Sequence, residues 1–187
     1  TYVARTEFLA QSGRAHEFEA LWSRVQGILR TVKGHDGEVL LNGLGYPGKY
    51  VAIDRWRDRE TLAAFYRGPA VREATHSGDG VYKLVRAEEA YEMLITIGQP
   101  PTEPGGWSQL VEWEIKSGAA ASFETSRKVL FELRQRHGGI YASQLFRFLG
   151  NASRYLVMQT YENQDAEKAG RTIPELQDFF AGHPANR

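Results

Sequence analysis

Ser12-Gly13-Arg14-Ala15-His16-Glu17-Phe18 is answered 105 residues later by Ser117-Gly118-Ala119-Ala120-Ala121-Ser122-Phe123, with Ser, Gly, Ala and Phe in the same places (117 − 12 and 123 − 18). The same offset carries Tyr50 onto Tyr155 and Trp56 onto Tyr161. A third echo, with an insertion, sets Phe65-Tyr66-Arg67-Gly68-Pro69-Ala70 beside Phe179-Phe180-Ala181-Gly182-His183-Pro184-Ala185. Three matches in one order point to an internal repeat. Between the halves lies Gly98-Gln99-Pro100-Pro101-Thr102-Glu103-Pro104-Gly105-Gly106, whose clustered Pro and Gly continue neither a helix nor a central strand. The expected organisation is a first module over residues 1–98, a linker over 99–106 and a second module over 107–187.

Working outward from Ser12, Tyr2 to Ala10 alternates as a half-buried strand does, and Ser12 with Gly13 supplies a turn able to cap the next element. From Arg14 to about Lys33, Phe18, Leu21, Trp22, Val25, Ile28, Leu29 and Val32 recur at spacings of three and four, the apolar stripe of a helix lying on a sheet. Val39–Leu44 and Lys49–Trp56 read as strands joined through Gly45-Tyr46-Pro47-Gly48, a hairpin turn. Asp58 is placed to cap a shorter helix with Leu62, Phe65 and Tyr66, broken near Gly68-Pro69 and resuming toward His76. Ala90–Ile97 supplies a fourth strand. This is a βαββαβ, ferredoxin-like order, with helices on one face of an antiparallel sheet.

The second half gives a strand at Gln109–Lys116, a helix from Ala120 to Arg136, a hairpin from Ile140 to Tyr161 and a helix near Ile173–Phe180. No counterpart of the last strand follows, so either that strand lies in a tail beyond this sequence or this α+β module has an open sheet edge.

Composition narrows the function. The chain has 187 residues, 42% hydrophobic and 25% charged, which suits globular modules. Lys plus Arg and Asp plus Glu each number 23, so no net field favours nucleic acid or anionic lipid. Absence of cysteine removes disulfides, thiolate nucleophiles and sulfur-ligated metals. No Gly-rich phosphate loop, histidine pair at ligand spacing or nucleophile elbow occurs. No apolar run approaches the roughly 20 residues of a membrane span, and a cytoplasmic location is expected.

A strand turning sharply into a long amphipathic helix, a hairpin, an aromatic at the end of the third strand (Trp56, then Arg57-Asp58-Arg59-Glu60) and a short aromatic helix (Ala64-Phe65-Tyr66) leading to His76 resemble an antibiotic biosynthesis monooxygenase domain of the dimeric α+β barrel superfamily. The resemblance spans residues 2–97 and, more loosely, 108–187. It implies two ferredoxin-like modules fused as an intramolecular dimeric barrel, each sheet backed by helices, with further homodimer formation open. It also implies a cofactor-independent oxygenase of a small aromatic or quinol-like substrate. Alternatives are a haem-binding or haem-degrading protein, or a non-catalytic small-molecule-binding protein.

A cofactor-free oxygenase needs a dry aromatic pocket, a base and a few aimed polar groups. The expected substrate-binding residues are Trp56, Tyr50, Tyr66 and Phe65; the expected catalytic residues are His76, whose imidazole titrates near neutrality, and Asn42, a polar break in Val39-Leu40-Leu41. Packing is the competing role for the aromatics, and solvent for Asn42. Asp54 and Arg55 fall on opposite faces of their strand, and periodicity leaves open which one points inward. Against haem, Thr6 and Phe65 stand where the family's haem-binding members carry asparagine and tryptophan. The second half has aromatics (Trp113, Tyr141, Phe146, Phe148, Tyr155, Tyr161) but few acid–base groups, and reads as the more degenerate module.

Overall fold

The computed structural model describes residues 1–69, 79–101 and 105–182. It is an α+β structure whose chain separates into two compact units, Thr1–Glu92 and Met93–Arg187. His76, His183 and the expected extension of the second helix beyond Pro69 lie outside the described residues.

The first unit contains β1 (Tyr2–Ala10), α1 (Ala15–Leu29), β2 (His35–Asn42), β3 (Lys49–Trp56), α2 (Arg59–Arg67) and most of β4 (Tyr82–Gly98). Its strands lie in the order β2-β3-β1-β4, with every pair antiparallel. Antiparallel partners share a face of the pleat. Tyr2 therefore stands beside Trp56, Ala4 beside Asp54, Thr6 beside Ala52 and Phe8 beside Tyr50 on the face that the helices cover.

On that face Phe18, Trp22 and Leu29 of α1 meet Phe8, Tyr50, Ala52 and Ala4 of the sheet, and Leu62 of α2 meets Trp56. Trp56 is wholly buried and packs against Phe65, Tyr66 and His35. Asp58 caps α2 as expected, its carboxylate accepting from Thr61 N at 2.7 Å. Capping by the Ser12-Gly13 turn is not found. Arg14 is the residue before α1, it makes no side-chain cap, and its guanidinium instead holds Glu17 in the first turn at 2.9 Å.

Two other expectations change. β1 is not half-buried: Val3 through Phe8 are buried on both faces. The face away from the helices carries Glu7, ion-paired to Arg5, to Lys49 at 3.2 Å and to Arg86 at 3.5 Å, which offsets the cost of burying its charge. β4 begins at Tyr82, eight residues before the expected start at Ala90.

The second unit contains the end of β4 from Met93, β5 (Trp107–Glu114), α3 (Ala120–His137), β6 (Ile140–Phe148), β7 (Arg154–Tyr161), α4 (Gln164–Gly170) and α5 (Pro174–Gly182). Its strand order is β4-β6-β7-β5, and β5 pairs with β7 alone, so its outer edge has no strand among the described residues. Phe123 and Phe131 of α3 pack on Leu145, Tyr155 and Val157, joined by Leu94, Ile95 and Ile97 of β4. The helix α4, capped by Asn163 accepting from Ala166 N at 2.9 Å, has no counterpart in the expectation from sequence.

Candidate functional site

A cavity of about 100 Å³ lies inside the first unit, between its sheet and helices α1 and α2. β1 contributes Thr6 and Phe8, α1 contributes Phe18, Leu21, Trp22, Val25, Ile28 and Leu29, α2 contributes Phe65 and Tyr66, and β4 contributes Tyr82, Leu84 and Glu88. β3 contributes one residue, Asp54. Ile28 and Leu84 are 39% and 54% exposed, which places them at the opening.

The wall is apolar and aromatic, as ligand pockets are, with one deeply set carboxylate. Asp54 is 2% exposed. Tyr66 Oη donates to its Oδ2 at 2.6 Å, while Oδ1 is buried with no hydrogen-bond partner. Burial pushes the Asp54 carboxyl up to about 7; the bond from Tyr66 pulls it down, and Glu38, its cross-strand neighbour on β2, pushes it up further. The Tyr66 hydroxyl is raised well above its ordinary value, first by burial and then by the adjacent Asp54 charge. A carboxyl poised near neutrality in an apolar, aromatic cleft can take and return a proton at working pH.

A second orphan lies in the same lining. The indole Nε1–H of Trp22 is buried and makes no hydrogen bond. Two residues of the lining thus each carry a buried polar atom without a hydrogen-bond partner.

The structure brings Tyr66 and Phe65 into this lining; Trp56 stands one layer behind, against both rings. Tyr50 is buried beside Phe18, its hydroxyl donating to Glu19 at 2.7 Å, outside the lining. Asn42 is exposed at the end of β2, away from the cavity. Asp54 is the residue that alternation left undecided. Its parity with Tyr50 and Trp56, both inward-facing aromatics, is the signal that selects it over Arg55.

In the second unit the positions 105 residues on are chemically different. Residue 159, 105 after Asp54, is Gln, and residues 127 and 134, 105 after Trp22 and Leu29, are both Arg. Arg134 donates to Gln159 Oε1 at 2.6 Å and to the Tyr161 hydroxyl, and Gln159 in turn donates to Ser143 Oγ at 3.3 Å. The Arg127 guanidinium lies 4.4 Å from the Trp113 ring and 4.9 Å from Phe123, and burial, followed by the Arg134 charge, lowers it to about 10. Each unit has a tyrosine-to-glutamate hydrogen bond within itself: Tyr155 donates to Glu124 at 2.8 Å, and Tyr50 to Glu19 at 2.7 Å.

Among the described residues no group of three His, Asp or Glu side chains could hold a metal ion, and no helix is long and apolar enough to cross a membrane.

The first unit is an α+β domain with an apolar cavity between its sheet and its helices. Residues 1–77 match the family model for antibiotic biosynthesis monooxygenase. The fold of nearly the whole chain recurs in solved structures. A proposed monooxygenase from Fusobacterium nucleatum subsp. nucleatum ATCC 25586 superposes with a TM-score of 0.80 at 9% identity, over 97% of this chain and 84% of that one. A proposed monooxygenase from Lactobacillus acidophilus NCFM gives 0.66 at 12% identity, over 97% and 86%. An anthrone oxidase-like protein gives 0.62 at 11% identity, over 96% and 83%. At these identities the likeness is one of fold. No curated protein sequence matches the chain.

Proposed function

We propose that the first unit is a cofactor-independent oxygenase of a small aromatic, quinol-like substrate, with Asp54 as its base. The observation that carries this reading is the buried Asp54 carboxylate, with Oδ1 unmatched, inside an aromatic cavity. In such a site Asp54 takes the proton of a ring hydroxyl, and the resulting electron-rich anion reduces dioxygen directly, the substrate supplying the electrons. Tyr66 holds the carboxylate through Oδ2 and leaves Oδ1 to the substrate. The apolar walls keep water from competing for the anion.

The two units are read as copies of one module, supported by the retained Tyr–Glu bonds, with the catalytic site confined to the first because Gln159 cannot act as a base. Haem does not fit the described lining: about 100 Å³ is far below what a porphyrin occupies, and no imidazole reaches it.

Oxygen consumption with a panel of phenols and quinols tests the proposal. The wild type is expected to consume oxygen and Asp54→Asn to lose this. His76→Ala separates the two candidate bases, because loss there with activity intact in Asp54→Asn overturns the assignment.

A further inference from the structure

His35 and Glu38 of β2 are three residues apart, a spacing that on an unbroken strand points side chains to opposite faces. The pairing of β2 shifts between them. His35 stands opposite Trp56 and Gly37 opposite Arg55, which leaves Asp36 outside the pairing and brings Glu38 opposite Asp54. Gly37 at the shift has φ +122°, a conformation that favours glycine. Both His35 and Glu38 therefore share the helix-covered face with Trp56 and Asp54.

The shift buries two ionisable groups that an outer strand could have left in water. The side chains of His35 and Glu38 are 2% and 6% exposed, with imidazole Nε2 3.6 Å from Glu38 Oε2. The imidazole packs edge-on against Trp56, ring centroids 5.0 Å apart. Burial lowers the His35 pKa, against Asp36 and with Arg55, so the ring is uncharged near neutrality. Burial raises Glu38, against Arg30 and Arg55. Arg30 reaches Glu38 Oε1 only at 3.9 Å from a side chain 72% exposed, where water screens it, and Arg57 is engaged with Asp36 at 2.8 Å. On the far side of Asp54 stands Tyr66, on which Glu88 of β4 also bears. Two buried carboxylates at directly opposed positions of neighbouring strands repel unless one holds a proton. We propose that Glu38 is a positioning residue for Asp54: turned inward by the shift in β2, its carboxylate strengthens Asp54 as a proton acceptor, and the uncharged His35 beside it leaves that effect uncancelled. The inference rests on reading Asp54 as the working group of the site and concerns what sets its proton affinity, not the reaction that follows.

Carboxyl-carbon NMR titration of the full chain tests it. Glu38→Gln keeps the shape of the side chain and removes its charge, and the Asp54 midpoint is expected to fall by about one pH unit. Glu38→Asp keeps the charge and is expected to restore at least roughly half of that difference, which a packing role alone would not do. The His35 ring signals of the wild type are expected to be those of neutral imidazole at about pH 7.

An Asp54 midpoint that stays or rises in Glu38→Gln overturns the inference. So does an equal fall in the Gln and Asp variants, or a charged His35 ring at neutral pH. If neither variant folds, the wild type still decides, because its Asp54 signal is expected to show a second, smaller step at the Glu38 midpoint, and a single step overturns the coupling. A lowered midpoint in Glu38→Gln with no oxygen uptake by the wild type sinks the oxygenase reading and leaves this one. Oxygen uptake that depends on Asp54, with a midpoint unmoved in Glu38→Gln, does the reverse.

Discussion

Tyr66 Oη donates to Asp54 Oδ2 at 2.6 Å across the gap between α2 and β3, so one oxygen of the carboxylate is fixed while the other is buried without a hydrogen-bond partner. The bond lowers the Asp54 pKa against the larger upward push of burial. Removing it in Tyr66→Phe is expected to raise the Asp54 midpoint above about 7. Carboxyl-carbon NMR titration would show this directly; an unchanged or lower midpoint contradicts the coupling.

Stability carries the same signature with a defined sign. The folded-state pKa of Asp54 is raised to about 7 from an ordinary 3.8, so between these values the folded state binds more protons than the unfolded one. Stability from this group is complete at acid pH and is lost as pH rises through that window. Asp54→Asn is expected to remove the downward slope, seen as a flatter profile of urea midpoints from about pH 4 to 7.

Trp56 is fully buried under α2, where no small residue can take its place without a cavity. Trp56→Ala is expected to cost about 3–5 kcal/mol of unfolding free energy, measured by denaturant titration. A cost below about 1 kcal/mol would mean that Phe65 and Tyr66 collapse into the space.

Gly98 has φ +81°, and a Cβ there would meet the Tyr141 carbonyl oxygen at 2.1 Å. Both effects oppose any side chain. Gly98→Ala is expected to destabilise the second unit by roughly 3 kcal/mol, read from its thermal transition, while Gly27→Ala, in open helix, raises stability slightly.

Elements governed by local chemistry were legible in the sequence. The turn before α1, the limits of β3 and the Asp58 cap follow from Gly, alternation and a side chain that accepts from the first helical turn. The early part of β4 was not legible, because Lys83, Arg86, Glu88 and Glu89 hide its alternation and pairing with β1 alone makes it a strand. Asp54 was legible only as one of two. A strand's period gives relative faces, and the absolute face was set by the packing of Trp56 and Tyr50. The orphaned Trp22 nitrogen could not be read at all, since the absence of a partner is a property of assembled side chains.

β4 runs past Glu92, and Leu94, Ile95 and Ile97, ahead of the proline-rich segment, complete the core under α3. An expression fragment trimmed to the obvious joint, starting at Trp107, would therefore be born without an edge strand and with three aliphatic side chains missing from its interior. The natural place to cut this chain lies inside a strand, and a fragment meant to stand by itself has to begin no later than Met93.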